Sequence, residues 1–267
     1  IVTVNYNNAK GLNKTLHSIF SQSIPVESIV IDGGSTDNSL EVIRAYQNQI
    51  TYWISEPDKG IYDAMNKGII HCSGEYTNFM NSGDVFAKDS LAKVTKAIEF
   101  DQSNIDLYFG DIIRESIARK SSEYYSQPDK IDFPHLLLKT INHQSIFLKT
   151  IYLKTINFNT KFSIIADWIQ LFETFKFYNI SYRKLPFPIC IYNIDGYSAK
   201  NDSKRLDERE IYLKEAYHEW ELEDILTFAR IRSKPYYSEL VASLDSPKRT
   251  YIIKLVLSIL YGRKASK

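Results

Sequence analysis

Short apolar runs alternate with helical stripes along the N-terminal part of the chain. Ile1-Val2-Thr3-Val4 reads as a buried strand, and Asn5-Tyr6-Asn7-Asn8 as the polar loop that follows it. Leu12, Leu16, Ile19 and Phe20 recur at i, i+4, i+7 and i+8, the stripe of an amphipathic helix, and Pro25 closes that unit. Ile29-Val30-Ile31 is a second short strand. It runs into Asp32-Gly33-Gly34-Ser35-Thr36-Asp37-Asn38, a turn rich in helix-capping side chains. Leu40, Ile43 and Ala45 continue as a helix, and Tyr52-Trp53-Ile54 as a third strand. Residues 62–70 form a helix that Ser73-Gly74 ends, and residues 76–80 a fourth strand. This alternation predicts βαβ units on a parallel sheet with right-handed crossovers. Ligands of such sheets bind at the carboxyl ends of the strands. Three polar clusters fall there: residues 5–8, 32–37 and 81–84.

Beyond Asp84 the pattern changes. Leu91, Val94 and Ile98 predict a helix, residues 106–113 a strand, and residues 114–130 a polar, irregular, mobile loop. Residues 141–162 mix strand and turn signals. Residues 166–177 predict an aromatic-rich amphipathic helix, residues 189–194 a strand before the Asp195-Gly196 turn, and residues 200–232 charged helices. In the tail, Ile252, Ile253, Leu255, Val256, Ile259 and Leu260 form an apolar body ringed by Lys248, Arg249, Lys254, Arg263, Lys264 and Lys267.

A length of 267 residues suits one large domain, or one domain with a helical appendage. The formal charge is +1, so no basic field points to a nucleic-acid partner. The two cysteines, Cys72 and Cys190, make no CxxC pair and read as buried small hydrophobes, in keeping with a reducing compartment. No apolar run of about 20 residues is present to span a bilayer. The chain opens at Ile1 inside an apolar run, which reads as a piece trimmed to its first strand, without a signal peptide. GxGxxG, GxxxxGK[ST], HExxH and GxSxG are all missing, which removes the usual signals of dinucleotide oxidoreductases, P-loop NTPases, zincins and serine hydrolases.

One resemblance is specific. The segment Ile31-Asp32-Gly33-Gly34-Ser35-Thr36-Asp37-Asn38-Ser39 resembles the first nucleotide loop of glycosyltransferase family 2. Glu56-Pro57-Asp58-Lys59-Gly60-Ile61-Tyr62-Asp63-Ala64-Met65-Asn66-Lys67-Gly68 is similar to a signature of that family's bacterial capsule, O-antigen and exopolysaccharide branch. Asn81-Ser82-Gly83-Asp84 stands where the family keeps its Asp-x-Asp motif. Asn142-His143-Gln144, Ala166-Asp167-Trp168 and Asp195-Gly196-Tyr197-Ser198 match later motifs. The resemblance implies a GT-A fold, an α/β Rossmann-like architecture with a mostly parallel central sheet, over residues 1–198. Residues 1–84 would bind the nucleotide sugar and residues 85–198 the acceptor, with a helical extension over 199–267. It also implies an inverting displacement: an acceptor hydroxyl attacks the sugar of a nucleoside-diphosphate donor, UDP-sugar first, as a base takes its proton.

Such chemistry needs a carboxylate within reach of the acceptor oxygen and positive charge at the leaving diphosphate. The resemblance assigns the base to Asp167, with partial burial expected to raise its pKa. Ala166 stands where many relatives have Glu. The metal, Mn²⁺ or Mg²⁺, falls to Asp84, with Asn81 as a weaker or water-mediated contact; Asn81 and Gly83 replace two of the common carboxylates. Asp32, Ser35 and the backbone around Thr3 and Asn5 would take the nucleotide, with Asp58 sharing the base contact. Lys59 and Lys67 would approach the diphosphate, Met65 standing where relatives often carry Arg. His143, Gln144 and the Trp168 face would meet the acceptor, a glycan or polyprenyl-linked glycan, and the Asp195 loop would close over the diphosphate. Asp167 as a helix cap, Asp84 as a plain turn residue and Lys67 as a solvated charge are the structural alternatives. The tail over 248–267 suits a membrane surface, packing on the domain, or dimerisation; a lipid-linked acceptor would favour the inner face of the cell membrane. A non-catalytic nucleotide-sugar-binding scaffold is the rival function. A nucleotidyltransferase ranks below it, because no basic glycine-rich loop follows the first strand.

Overall fold

The computed structural model describes residues 1–116, 118–131, 133–195 and 201–232. Strands β1 (Val2–Asn5), β2 (Ile29–Asp32) and β3 (Tyr52–Ser55) pair in parallel. Helices α1 (Ala9–Phe20), α2 (Ser39–Tyr46) and α3 (Ile61–His71) follow them in turn. Side chains alternate across the sheet. Ile29 and Ile31 pack with Met65 and Ile69 of α3, whereas Val30 packs with Leu12, Leu16 and Ile19 of α1. Helices thus cover both faces, which is why the strands read as unbroken apolar runs.

The chain then enters β4 (Tyr76–Thr77), and the residues after it run parallel to β1. Val2 N–H donates to Asn78 O at 2.9 Å, and Met80 N–H to Val2 O at 3.0 Å. This splice joins the parallel sheet to a mixed one of order β4-β8-β6-β9-β5. Its members are β5 (Val85–Phe86), β6 (Leu107–Ser116), β8 (Ile146–Lys149) and β9 (Tyr182–Asn193). β6 and β9 are parallel; β8 and β5 pair antiparallel to their neighbours. Helices α4 (Ser90–Phe100), α5 (Phe133–Leu138), α6 (Thr150–Thr155) and α7 (Ala166–Phe177) complete this half. The extension forms α8 (Asp202–Ala216) and α9 (Glu219–Arg232); Tyr212 and Leu213 of α8 join the core shared by α3 and α7.

Two expectations change. Residues 114–130 do not form a loose loop. β6 runs on to Ser116 and turns into β7 (Ser121–Tyr125), antiparallel to it. Arg114 stacks on Tyr125 at 3.4 Å, and Tyr124 donates to Asp111. β9 also begins well before residue 189. Pro186 and Pro188 hid it, because proline sits in strands only where pairing is irregular; here the register slips between Gly110–Leu185 and Asp111–Pro188. The basic tail over 248–267 and the residues Gly196, Tyr197 and Ser198 lie outside the described residues.

Candidate active site

The carboxyl ends of β1, β2 and β3 carry Asn5, Asp32 and Ser55, which are register neighbours. Asp32 is fully buried. Its Oδ1 accepts from Asn5 Nδ2 (2.7 Å) and Ser35 Oγ (2.6 Å), and its Oδ2 from Ser35 N (2.9 Å) and Ser55 Oγ (2.7 Å). Burial pushes this carboxyl up, but the two serines and Asn5 outweigh it and hold it below the ordinary value. Asp32 therefore ties three strand ends together and has no face left for a nucleotide. Ser35 Oγ also receives Asn7 N–H at 2.7 Å, Asn5 is spent on Asp32 and Ser39, and Thr3 is fully buried. The Asp32 and Ser35 side chains thus brace the turn after β2, while the contact expected of Thr3 and Asn5 is one of their backbone.

Asp58 is a half-buried acid beside this loop. A Cβ on Gly33 would lie 2.4 Å from Asp58 Oδ2 and 3.3 Å from the Tyr6 ring, so a larger residue there would push the Asp58 carboxylate aside. Gly60 N–H fixes Asp58 Oδ1 at 2.8 Å. Tyr6 is 65% exposed, an aromatic face presented beside that carboxylate. Along the sequence Tyr6 reads as part of a polar loop; an aromatic directly after a strand's carboxyl end is the signal that marks it. Lys59 is exposed. Lys67 is engaged elsewhere: it lies 2.7 Å from Glu56 and donates to Pro57 O at 3.1 Å, latching the 56–63 segment rather than presenting a free cation. Met65 is a core residue.

Across the cleft, three motifs meet. Asp167 stands in the first turn of α7 with 21% of its side chain exposed. Its Oδ1 accepts from Trp168 N (2.8 Å) and from the Tyr62 hydroxyl (3.0 Å), which also reaches Ile164 O (2.7 Å). Among the described residues its Oδ2 meets only His143 Nδ1, at 2.8 Å. His143 Nε2 lies 3.0 Å from Asn81 Nδ2. The amide can only donate from that atom, so neutral His143 carries its proton on Nδ1 and gives it to Asp167. Burial pushes the Asp167 carboxyl up, yet the His143 bond, the Trp168 amide and Tyr62 outweigh it. The result lies below the ordinary value, the opposite of the expected rise: the donors, not burial, decide. Trp168 is no sugar platform. It is buried, its indole N–H donates to Leu136 O at 2.6 Å, and the Arg209 guanidinium covers its ring at 4.2 Å.

Asp84 is buried between Gln144 Nε2 (2.8 Å, to Oδ2) and the Asn193 amide (3.1 Å, to Oδ1). Burial raises its carboxyl above the ordinary value despite these donors. Gln144 thus turns toward Asp84 rather than outward to an acceptor. Asp195, expected in a closing loop, accepts from Ser116 Oγ (3.0 Å) and Ala118 N (2.9 Å), tying β9 to the β6–β7 turn.

Comparison with known proteins decides what this cleft belongs to. The model of the family described as "Glycosyl transferase family 2" matches residues 1–176. The chain belongs to glycosyltransferase family 2. An uncharacterized glycosyltransferase of Mycobacterium tuberculosis is 40% identical over 101 residues, 37% of this chain and 38% of that protein. A PGL/p-HBAD biosynthesis glycosyltransferase of Mycobacterium bovis is 30% identical over 175 residues, 63% of this chain and 66% of that protein. The chain therefore spans less than two thirds of these relatives. Among solved structures, S. aureus TarS in complex with UDP-GlcNAc superposes with a TM-score of 0.64 at 16% identity, covering 93% of this chain and 76% of that one. The mannosyltransferase PcManGT from Pyrobaculum calidifontis, in complex with GDP-Man and Mn²⁺, gives 0.60 at 16%, covering 98% and 80%. Both share the fold.

The family 2 cleft also allows a test for a divalent ion. Among the described residues no group of three His, Cys, Asp or Glu side chains gathers to hold one. Asp84 is a lone carboxylate. Near it, Asn81 Oδ1 and Gln144 Oε1 are buried oxygens without a hydrogen-bond partner. Oxygen donors around one acid fit a hard ion that keeps water and diphosphate oxygens in its shell. They do not fit an ion held by protein alone.

Proposed function

We propose that this family 2 domain moves a sugar, with inversion, from a nucleoside-diphosphate sugar to a hydroxyl of a glycan or lipid-linked acceptor. The setting is assembly of cell-surface polysaccharide or glycolipid, in the cytoplasm at the inner face of the membrane. A UDP-sugar is the first donor to try: TarS carries UDP-GlcNAc, although PcManGT carries GDP-Man. No helix among the described residues is long and apolar enough to cross a membrane.

The observation that carries this reading is the state of Asp167. Oδ1 is spent on two donors, while Oδ2 has one and keeps a lone pair for an incoming hydroxyl. His143 and Tyr62 hold the carboxylate in one orientation, the preorganisation that general-base catalysis requires. The proton leaves the acceptor oxygen for Asp167 Oδ2 as that oxygen bonds to the anomeric carbon and the diphosphate departs. Tyr6 offers a face for the nucleobase, and Asp58 an acceptor for a base N–H or ribose hydroxyl. Lys59 is the exposed cation nearest in sequence to Asp58. Asp84, with Asn81 and Gln144, would hold Mn²⁺ or Mg²⁺, which would stabilise charge on the leaving diphosphate.

A thermal-shift panel of UDP, GDP, dTDP and CMP, each with and without Mn²⁺, tests the donor. One nucleotide stabilising the protein, more so with metal, supports the reading. No shift from any of them would favour the scaffold reading. Asp167→Asn should then cut turnover by roughly 10²–10⁴-fold while leaving the nucleotide shift intact. Wild-type turnover would remove Asp167 from the role of base.

A further inference from the structure

The start of α7 lacks a cap of its own. Ile165 occupies the N-cap position and makes no side-chain bond to the helix. The first amides of such a turn need acceptors. The backbone just ahead of the helix, at residues 163 and 164, is held from 45 residues away by Glu208 of α8, a buried residue. Oε1 accepts from Ser163 N (3.0 Å) and Ser163 Oγ (2.7 Å), and Oε2 from Ile164 N (2.9 Å). From the opposite side, the Tyr62 hydroxyl of α3 donates to Ile164 O. The next residue on α8, Arg209, donates to Leu136 O at 2.6 Å and Leu138 O at 3.2 Å while covering Trp168. Residues 163–168 are thus gripped by α3 on one side and α8 on the other, with Asp167 inside the grip.

We propose that Glu208 is a positioning residue for sugar transfer: from beyond the segment that the family model matches, it fixes the 163–164 backbone and so sets where Asp167 meets the acceptor. A serine or aspartate at position 165 would cap the helix locally. An acid on α8 holds the two residues ahead of it instead, so the placement of the base and the docking of the extension become one event. The proposal rests on Asp167 as the base.

The assay is UDP release from UDP-glucose or UDP-N-acetylglucosamine, whichever supports turnover, with Mn²⁺ present and water standing in for the acceptor hydroxyl. Glu208→Gln keeps the shape but sets an amide N–H₂ against backbone N–H groups. It should lower kcat by roughly 10- to 100-fold with the donor KM within about twofold, since a small misplacement of a catalytic group has that cost. Glu210→Gln removes the same charge from the same helix at an exposed ion pair with Lys214 and should leave kcat unchanged. A wild-type kcat in Glu208→Gln, or a loss matched entirely by the unfolded fraction in circular dichroism, overturns the proposal. If Glu208→Gln does not fold, Ser163→Ala decides. It removes one bond to Glu208 and should lower kcat by about threefold at constant KM; a wild-type kcat overturns the proposal. Asp167→Asn separates the two ideas. If it is inactive while Glu208→Gln is normal, only the positioning role falls. If Asp167→Asn is active, the base assignment falls and the positioning role with it.

Discussion

Tyr62→Phe probes the bond between the 56–68 signature and the base. The hydroxyl is 6% exposed and reaches Ile164 O at 2.7 Å and Asp167 Oδ1 at 3.0 Å. Burial, then the Asp167 charge, pushes the phenol well above its ordinary pKa, so it remains a donor throughout the working range. Phenylalanine keeps the ring and its contact with Phe158 at a centroid distance of 5.6 Å, so the core survives. The loss is the hydroxyl and one of the three donors to Asp167. A buried acceptor left short costs about 1–2 kcal/mol, which lowers Tm by roughly 2–8 °C in a domain of this size. The pH effect has a definite sign. Asp167 is held below its ordinary value, so its contribution to stability is present above the unfolded carboxylate range and lost as pH falls through the folded pKa. Removing a donor moves that folded pKa upward. The ionised carboxylate is the base, so the acid limb of the kcat profile should move to higher pH. Thermal unfolding and kcat from pH 4 to 8 check both effects. An unchanged Tm together with an unchanged acid limb would refute the contact as drawn.

Asp84→Ala should abolish the extra nucleotide stabilisation given by Mn²⁺ while leaving the metal-free shift in place; an unaltered Mn²⁺ effect would assign the ion elsewhere. Tyr6→Ala should weaken nucleoside-diphosphate binding by about 1–3 kcal/mol in calorimetry, the range of base–aromatic stacking, with Tm nearly unchanged. Asp32→Asn should destabilise the domain by about 2–3 kcal/mol near neutral pH, because an amide N–H₂ would face donors from Asn5, the two serines and a backbone amide. Its native carboxyl is held below the ordinary value, so that deficit should shrink as pH falls through the folded pKa and the wild type loses the same bonds. Denaturation midpoints at pH 7 and pH 3 measure it.

Local patterning by itself determined the first four strands, the helices between them and the residue range of α7, because burial on both sheet faces leaves an unbroken apolar run and helical burial leaves a period of 3.6. The long 56–68 run carried the family. The polar β7 strand was hidden because Ser121–Tyr125 is mostly exposed and shows no apolar alternation. What each polar side chain does was beyond reach of the sequence. Asp32 and Asp58 look alike along the chain, yet one is sealed by four donors and the other stands over Gly33. Asp167 looked like a carboxylate that burial would raise, until donors from α3 and from residue 143 arrived across the cleft. Trp168 looked like a sugar platform until Arg209 of α8 lay on it. Local spacing fixes which face a residue occupies; only the packing of distant segments decides which hydrogen bonds it has left to give a substrate.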